Sequence, residues 1–444
     1  MTVKKNSYFI KAIRQLLFLV LMVNIGNIYA QYTAIPDACF ERRLVDLGID
    51  SDGLINGHVL TSDIATVTEL NLFGEWEICL IHDLTGIEDF TALEIIDIER
   101  NQINYLDFSN NLNLKLINCT HCDVNSINVT QNTLLEGLYC RDNNIDIINI
   151  SNNPNLIDID VQSNNLQTID ISHNPQLKFF AITHNRISEV NFSNNLELES
   201  IFVGNNLIST IDVSLQPYLD FLSIQNNQIS SIDVSNNLEL SVFVCGNNQI
   251  SNINVSNNLQ LDLFWCQNNR IDYLDLSSNS LLSKFNCSNN DLVYLNVQNG
   301  NNSLLTGTFY YFQPYHYNRF IATNNPNLTC IYVDDAQYSE ANWLEIDSNS
   351  HFVETETECN ALSIDVFSLN EDIEIYPKPV KDILHIKSNK IINEISIYTL
   401  LGKKVLDFSA IRDESLNISS LNKGIYYVKI RIGSKFLKEK IIKI

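Results

Sequence analysis

The chain has 444 residues, 18% of which are charged, and its formal net charge is −24. A chain of this length exceeds one ordinary compact core, so we expect more than one structural unit. Acidic residues dominate between residues 31 and 365, where there are 43 Asp and Glu but only 10 Lys and Arg. This balance argues against binding to nucleic acid, whose phosphates need basic surfaces. The simplest explanation of the acidic surface is that it keeps the protein soluble.

Residues 1–30 have the pattern of a secretory signal peptide. Four basic residues open the segment: Lys4, Lys5, Lys11 and Arg14. An apolar run from Leu16 to Val23 follows, and the small residue Ala30 ends the segment before Gln31. The alternative is an N-terminal membrane anchor, but the run is short for a membrane-spanning helix. We expect cleavage after Ala30, and no membrane span in the mature chain.

Residues 31–86 are predicted to form an N-terminal cap, with a short amphipathic helix over Ala38–Leu47, a turn and a first strand. The segment Asp50-Ser51-Asp52-Gly53 has some features of a calcium loop. With Gly53 at the glycine position of an EF-hand, however, the first and last ligand positions would be Gly48 and Val59. A polar turn is therefore the better interpretation.

A strict period of 21 residues governs residues 87–308. An Asn that follows a strand-like segment recurs at one slot of the period, with Cys122 as the single departure: Asn101, Asn143, Asn164, Asn185, Asn206, Asn227, Asn248, Asn269 and Asn290. A small or medium apolar residue lies three positions before each of these, and Ile, Val or Leu lies two positions after. A second track in the same register reads [IL]-[DN]-[VIF]-S-x-N, as in Ile232–Asn237.

This pattern resembles the leucine-rich-repeat signature L-x-x-L-x-L-x-x-N/C-x-L, in which Cys is also accepted in the Asn slot. The resemblance implies a leucine-rich-repeat solenoid of about ten repeats, mostly β, with parallel stacked strands and a cap at each end. Its core exists only collectively, because each coil packs on its neighbours. A repeat of 21 residues leaves little room for a helix, so we expect a short strand on both sides of each coil.

The cysteines divide into two groups. Cys119, Cys140, Cys245, Cys266 and Cys287 share one inward slot with Val and Ile, so we expect small buried side chains. Cys119 and Cys122 form a C-x-x-C pair, which allows redox chemistry or metal binding, but the repeat already explains both positions. Four cysteines lie outside the inward slots, and in an exported protein they are disulfide candidates in two pairs: Cys330 with Cys359, and Cys39 with Cys79.

Residues 309–365 are predicted to form the C-terminal cap, and beyond residue 365 the composition changes: Asn becomes rarer, Lys more frequent, and the period stops. Alternating apolar and polar residues predict a small all-β sandwich domain over residues 366–444. The order of its motifs resembles the C-terminal sorting domain of the type IX secretion system of Bacteroidetes. The residues that carry the resemblance are Tyr376, Pro377, Pro379, Val380, Asp382, Gly402, Gly424 and Tyr426. Lys378 stands where this family usually has Asn.

This second resemblance implies export through the periplasm and outer membrane by the type IX machinery. Removal of the tail, followed by release or by attachment to the outer cell surface, is implied with it. No arrangement of residues indicates catalysis, a metal or a cofactor. The eight His form no metal-binding motif, and His121, His173 and His184 occupy slots that predict exposure to solvent.

One surface can be predicted in more detail. Positions six, four and two residues before each signature Asn alternate with inward residues and should point outward. Across several coils these positions hold apolar side chains: Tyr139, Phe179, Phe202, Phe221, Val242, Val244, Leu263 and Trp265. A continuous apolar face predicts a site that binds a protein or a glycan. The alternatives are lateral stacking that only shields the sheet, cover by the cap, and a structural role as a spacer of the cell envelope or matrix.

Overall fold

A computed structural model describes residues 31–74, 79–310, 316–362, 373–388, 391–400, 402–409, 415–432 and 435–444. The predicted signal peptide, residues 1–30, lies outside the described residues. The contacts of the chain define two compact units, Met1–Asn132 and Thr133–Ile444. Each unit is described by itself.

The first unit begins with the predicted cap. Strand β1 (Tyr32–Ala34) pairs antiparallel with β2 (His58–Leu60), and between them lies helix α1 (Ala38–Asp46). Asp37 caps α1, since its carboxylate accepts hydrogen bonds from two backbone N–H groups at the first turn. Helix α2 (Thr61–Ile64) follows, and a 3-10 turn spans Ile87–Asp89. The helix predicted over Ala38–Leu47 is therefore present and ends one residue earlier.

The first coils of the solenoid belong to this unit. Strands β3 (Glu69–Asn71), β4 (Ile95–Asp97) and β6 (Leu116–Asn118) pair in parallel in that order. On the second side of the same coils, β5 (Tyr105–Asp107) pairs in parallel with β7 (Ser126–Asn128). Strand β3 lies within the segment predicted as cap, so the parallel sheet starts before the strict period does.

The second unit continues the pattern. We call the sheet built from the first half of each coil the main sheet. Its nine parallel strands are β8 (Gly137–Tyr139), β9 (Asp158–Asp160), β10 (Phe179–Ala181), β11 (Ser200–Phe202), β12 (Phe221–Ser223), β13 (Val242–Val244), β14 (Leu263–Trp265), β16 (Lys284–Asn286) and β20 (Phe320–Ile321). From β8 to β16 each pair is in register with a shift of one repeat, and β20 then pairs with β16 after a longer connection, with Phe285 opposite Phe320. Residues 133–300, all of which the structure describes, contain no helix.

The second side of these coils departs from the prediction. Strands occur there only toward the C-terminal end: β15 (Tyr273–Asp275), β17 (Tyr294–Asn296), β21 (Cys330–Tyr332) and β22 (His351–Val353). Between residues 147 and 255 the second side is extended chain and turns without strand pairing. The expectation of a strand on both sides of every coil was therefore wrong for the middle coils. In these coils, Asn side chains donate to backbone carbonyls of the preceding coil, as Asn237 does to Val213 and Asn258 to Val234.

The interior consists of columns of identical slots. The middle residue of each main strand points inward, and large side chains such as Phe180, Phe243, Phe264 and Phe285 are fully buried there. Successive rings stack along the column, with centroids 5.6 Å apart between Phe243 and Phe264. Such a column buries apolar area in every coil, which is the main source of stability.

The signature asparagines form what we call the Asn ladder. Asn206 shows the pattern: its side-chain N–H groups donate to the carbonyl of Ile182 in the preceding coil (3.0 Å) and to that of Val203 in its own coil (3.1 Å). Its side-chain oxygen accepts from the N–H of Ile187 at 3.0 Å. The residue before each ladder Asn is left-handed, as in Asn205 with φ 54°, a conformation that Asn tolerates well. The ladder thus provides hydrogen-bond partners for backbone N–H and carbonyl groups at the point where the main strand ends.

The track that ends in S-x-N supplies a second ladder on the other side of the coil. Asn258 donates to the carbonyls of Val234 (3.0 Å) and Asn237 (2.7 Å) in the preceding coil. Gln216 replaces Asn in one coil and makes the same two kinds of bond, to Phe192 and Asn195. The slot therefore requires a side-chain amide rather than Asn alone.

The exceptional coil at Cys122 has a different backbone. The Cys122 thiol donates to the carbonyl of Ile98 at 2.9 Å, but sulfur does not take the role of the Asn oxygen. The N–H of Ile103 instead bonds the backbone carbonyl of Cys122, and both His121 and Asp123 adopt positive φ. Burial raises the pKa of the Cys122 thiol to about 12, which opposes the redox reading of the C-x-x-C pair.

The C-terminal part of the second unit contains the cap and a small β domain. The cap includes an antiparallel pair of β18 (Thr308–Tyr310) and β19 (His316–Asn318), helix α3 (Ala336–Asn342) and helix α4 (Glu356–Leu362). The β domain has two antiparallel sheets. One consists of β23 (Ile373–Tyr376), β24 (Ile383–Ser388) and β27 (Ser415–Asn417), and the other of β26 (Lys404–Ser409), β25 (Glu394–Thr399), β28 (Gly424–Ile432) and β29 (Lys435–Lys443). A separate hydrophobic core that includes Val380, Ile395 and Val428 lies in this domain.

Candidate binding surface

The outward residues of the main sheet form two columns that run across the strands. The first column contains Asp158, Phe179, Ser200, Phe221, Val242, Leu263 and Lys284. The second contains Asp160, Ala181, Phe202, Ser223, Val244, Trp265 and Asn286. Seven of the eight residues predicted for the surface are adjacent in these columns, and we call those seven the apolar track.

From Phe179 to Ser223, large and small residues alternate along each column, and the two columns are out of phase. Phe179 and Phe221 are separated by Ser200, while Phe202 in the other column lies between Ala181 and Ser223. The three rings therefore interleave: the centroids of Phe179 and Phe202 are 5.4 Å apart, and those of Phe202 and Phe221 are 4.4 Å apart. All three rings remain partly exposed.

The other half of the track is more closely packed than the sequence indicates. Val242, Val244, Leu263 and Trp265 form a hydrophobic cluster of their own, outside the interior of the solenoid. Val244 and Leu263 are only 2% and 3% exposed, whereas Val242 and Trp265 are partly exposed. Trp265 and Val242 therefore present the surface, and the two buried residues support it.

Polar residues bound the track at both ends. At one end Asp158 and Asp160 face outward, and the Asp158 carboxylate accepts a hydrogen bond from the Tyr139 hydroxyl at 3.1 Å. Burial and these carboxylates raise the pKa of Tyr139 to about 12. Tyr139, the eighth predicted residue, is thus separated from the apolar track by the strand of Asp158. At the other end Lys284 forms an ion pair with Asp262 at 2.5 Å.

A third column beside the track was not singled out from the sequence. It alternates glycine with glutamine: Gly204, Gln225, Gly246 and Gln267. Each Gln side chain lies over the glycine of the preceding coil, and a Cβ on Gly246 would come within 2.6 Å of the Gln267 amide. The Gln267 side-chain oxygen is buried and has no hydrogen-bond partner among the described residues. The sequence does contain a signal for this column, because glycine recurs at the same slot in every second coil, at Gly204 and Gly246.

The other sequence-predicted groups lie away from this surface. His121, His173 and His184 are exposed. Six cysteines, including the five of the inward slot, are buried. Among the described residues, no group of His, Cys, Asp and Glu has an arrangement that could hold a metal ion. Disulfides join the two candidate pairs, with Cα atoms 5.5 Å apart for Cys39–Cys79 and 5.8 Å apart for Cys330–Cys359.

The residues of the sorting motif have structural positions in the C-terminal domain. Val380 is fully buried and bridges to Lys443, whose ammonium lies 3.3 Å from Asp382. Tyr376 stacks on His385, and the bonds before Pro377 and Pro379 are cis. The Tyr426 hydroxyl donates to the carbonyl of Asn422 at 3.0 Å. Gly402 adopts a positive φ of 74° in the turn before β26, and Gly424 begins β28.

Comparison with known proteins agrees with both parts of this description. Residues 374–444 match the family model of the secretion system C-terminal sorting domain. The functional domain of InlJ from Listeria monocytogenes, described as including a cysteine ladder, is similar with a TM-score of 0.60 and 22% identity over 93% of this chain and 98% of that one. A TDR receptor is similar with a TM-score of 0.51 and 14% identity over 62% of this chain and 52% of that one. No curated protein matches the chain.

The protein is therefore a leucine-rich-repeat solenoid of parallel stacked strands, followed by a small β domain. That domain is a type IX secretion sorting domain, so the protein is secreted or attached to the outer cell surface and interacts with the type IX machinery. Among the described residues, no helix has the length and apolar character needed to cross a membrane. The similarity to solved structures is in fold, and it carries no ligand over to this chain.

Proposed function

We propose that this protein is a non-enzymatic binding module at the cell surface or outside the cell, which recognises a protein or a glycan through the apolar track. The observation that carries the proposal is the partly exposed row formed by Phe179, Phe202 and Phe221. Aromatic side chains on a regular sheet face offer a large contact area that loses little conformational freedom on binding.

The polar boundary of the track supports the same proposal. Binding surfaces commonly have an apolar centre and a polar rim that orients the partner. Here carboxylates flank one end at Asp158 and Asp160, and the ion pair of Lys284 with Asp262 flanks the other. Both a protein backbone and a sugar hydroxyl can use such groups.

A structural spacer is the second candidate, and one observation favours it. Val244 and Leu263 are buried within their own cluster, so part of the track stabilises the sheet without any ligand. A spacer would need no specific partner, whereas the partly exposed phenylalanines and Trp265 would then have no use beyond lateral stacking.

Capture experiments separate these candidates. The purified secreted protein is tested on a glycan array and in pull-downs from cell-surface extracts. We expect a partner whose capture falls at least tenfold when Phe202, Phe221 and Trp265 are replaced by Ser, since such anchors contribute about 1 kcal/mol or more each. A control variant replaces three exposed turn leucines, Leu196, Leu238 and Leu259, by Ser.

The control should bind as the wild type does, and circular dichroism should show that both variants are folded. Equal capture by the folded track variant and the wild type would exclude the track as the site. Failure of the wild-type protein to capture anything would favour the spacer. Turnover of any substrate in a parallel glycan and peptide screen would overturn the non-enzymatic part of the proposal.

A further inference from the structure

A second, smaller aromatic surface lies on the other side of the last coils. The residue immediately before the second track of each coil is small or polar in most of the second unit, as in Thr210, Ser231 and Asn252. In the last two coils this position becomes Tyr273 and Tyr294. Their rings stack with centroids 4.4 Å apart and planes inclined by 6°, and Tyr332 continues the row 5.2 Å from Tyr294.

The sorting domain contacts this row with a lysine. The ammonium of Lys438, on β29, lies 3.7 Å from the ring centroid of Tyr273 and 5.2 Å from that of Tyr294. Tyr427 of the same domain contributes a third ring at 4.3 Å. Three ring faces around one ammonium form a cation–π site. Loss of water lowers the pKa of Lys438 to about 8, so the charge is largely retained at pH 7.

Two polar contacts flank the lysine. Lys429 of the sorting domain forms an ion pair with Asp272, next to Tyr273. One coil earlier, the side-chain amide of Asn252 donates to the backbone carbonyl of Gly402 at 2.8 Å. The domain thus uses the same repeat position in three successive coils, at Asn252, Tyr273 and Tyr294.

The repeat itself indicates that this surface is specialised. Tyr105 occupies the equivalent position in the first unit, and it is 58% exposed. Tyr273 and Tyr294 are partly buried, and burial raises the pKa of both, so they stay neutral. The charges are complementary as well: residues 31–365 are strongly acidic, while residues 366–444 contain 14 Lys and Arg against 9 Asp and Glu.

We propose that the face formed by Asn252, Asp272, Tyr273 and Tyr294 is a docking surface for the chain's own sorting domain, held by Lys438 and Lys429. The sorting domain is then a docked part of the exported protein rather than a freely tethered tail. Its docked position fixes which of its surfaces stay open to other proteins, and its removal would uncover the tyrosine row.

Zero-length cross-linking of the full chain tests the docking surface. A carbodiimide couples an amine to a carboxylate only where the two are in contact, so Lys429 should couple to Asp272, as identified by mass spectrometry. The ion pair of Lys378 with Glu439 lies within the sorting domain and serves as the internal reference. We expect the double variant Lys438→Glu, Tyr273→Ser to lower the Lys429–Asp272 product at least fivefold relative to that reference.

Two further variants separate docking from folding. Tyr273→Phe keeps a ring under the ammonium and should preserve the product, while Tyr105→Ser removes the equivalent exposed tyrosine and should have no effect. A Lys429–Asp272 product that is absent from the wild-type chain, or unchanged in the double variant, would overturn the proposal. Loss of the reference product as well would mean that the sorting domain has unfolded in the double variant. The single variant Lys438→Met is then used instead, and the ratio of the Lys429–Asp272 product to the reference product decides whether the proposal holds.

Discussion

Replacement of one ladder asparagine tests how the coils are held together. In Asn206→Ala the carbonyls of Ile182 and Val203 each keep another side-chain donor, from the ladder Asn of a neighbouring coil. The N–H of Ile187 has no such substitute, because its hydrogen bond goes to the Asn206 oxygen at 3.0 Å. The variant therefore leaves a buried N–H without a partner and removes the donations to the carbonyls of Ile182, Val203 and Gly204.

The expected cost follows from these contacts. An unsatisfied buried N–H costs roughly 1–3 kcal/mol, and each lost hydrogen bond costs at most about 1 kcal/mol more. We therefore expect the free energy of unfolding to fall by about 3 kcal/mol. Urea unfolding followed by circular dichroism measures the total. Hydrogen exchange of the peptide that contains Ile187 measures the local effect, and it should show faster exchange in that coil than in coils farther away.

The neighbouring residue provides a matched control. Asn205→Gly removes a side-chain amide of the same size and keeps the left-handed backbone, since glycine adopts positive φ freely. We expect it to cost less than about 1 kcal/mol. Asn206→Cys should not rescue the coil, because the backbone change that accommodates Cys122 is missing there. Equal losses of unfolding free energy for Asn206→Ala and Asn205→Gly would show that the hydrogen bonds of Asn206 do not stabilise the coil.

Three further predictions concern the interior and the surface charge. The six buried cysteines should resist a thiol reagent at pH 8 in the folded protein and all react in guanidinium, since burial raises the thiol pKa of Cys245 and its neighbours; rapid labelling of the folded chain would contradict this. Gln216→Asn should leave the free energy of unfolding unchanged or raise it by up to about 1 kcal/mol, because the shorter amide loses less side-chain entropy. A clear loss of stability in urea unfolding would argue for a special role of Gln216. Hydrogen bonds from Ser214 and Ser235 hold the pKa of Asp212 and Asp233 below 3.8, so their stabilisation is present above that pH and is lost as the pH falls through the lowered values. The unfolding temperature measured from pH 8 to pH 2 should therefore be nearly constant down to about pH 5 and fall below pH 4, and a fall between pH 7 and pH 5 would contradict the assignment.

Much of the fold is predictable because every coil repeats one environment. A side chain that is inward in one coil is inward in all of them, so the Asn slot and the apolar slots could be read from period alone. The same logic gave the outward direction of Phe202 and Trp265, whose places in the columns the strand register now defines.

Features that depend on more than one repeat were harder to read. The middle coils lack strands on their second side although their sequences resemble those of the last coils, where Tyr273 and Tyr294 stack across the paired strands. The burial of Val244 and Leu263 reflects contacts across strands that a single repeat does not contain. The contact of Lys438 with Tyr273 joins residues 165 positions apart, and no local pattern encodes it.

Fluorinated tryptophan offers a direct test of whether the apolar track binds the partner. The chain has three tryptophans, of which Trp265 lies in the track and Trp343 in the C-terminal cap. The protein is labelled with 5-fluorotryptophan, and fluorine NMR spectra are recorded while the partner or glycan captured by the wild-type chain is added. We predict that the Trp265 signal shifts or broadens while that of Trp343 stays unchanged. A bound partner that leaves the Trp265 signal unaltered would show that the apolar track is not the binding site.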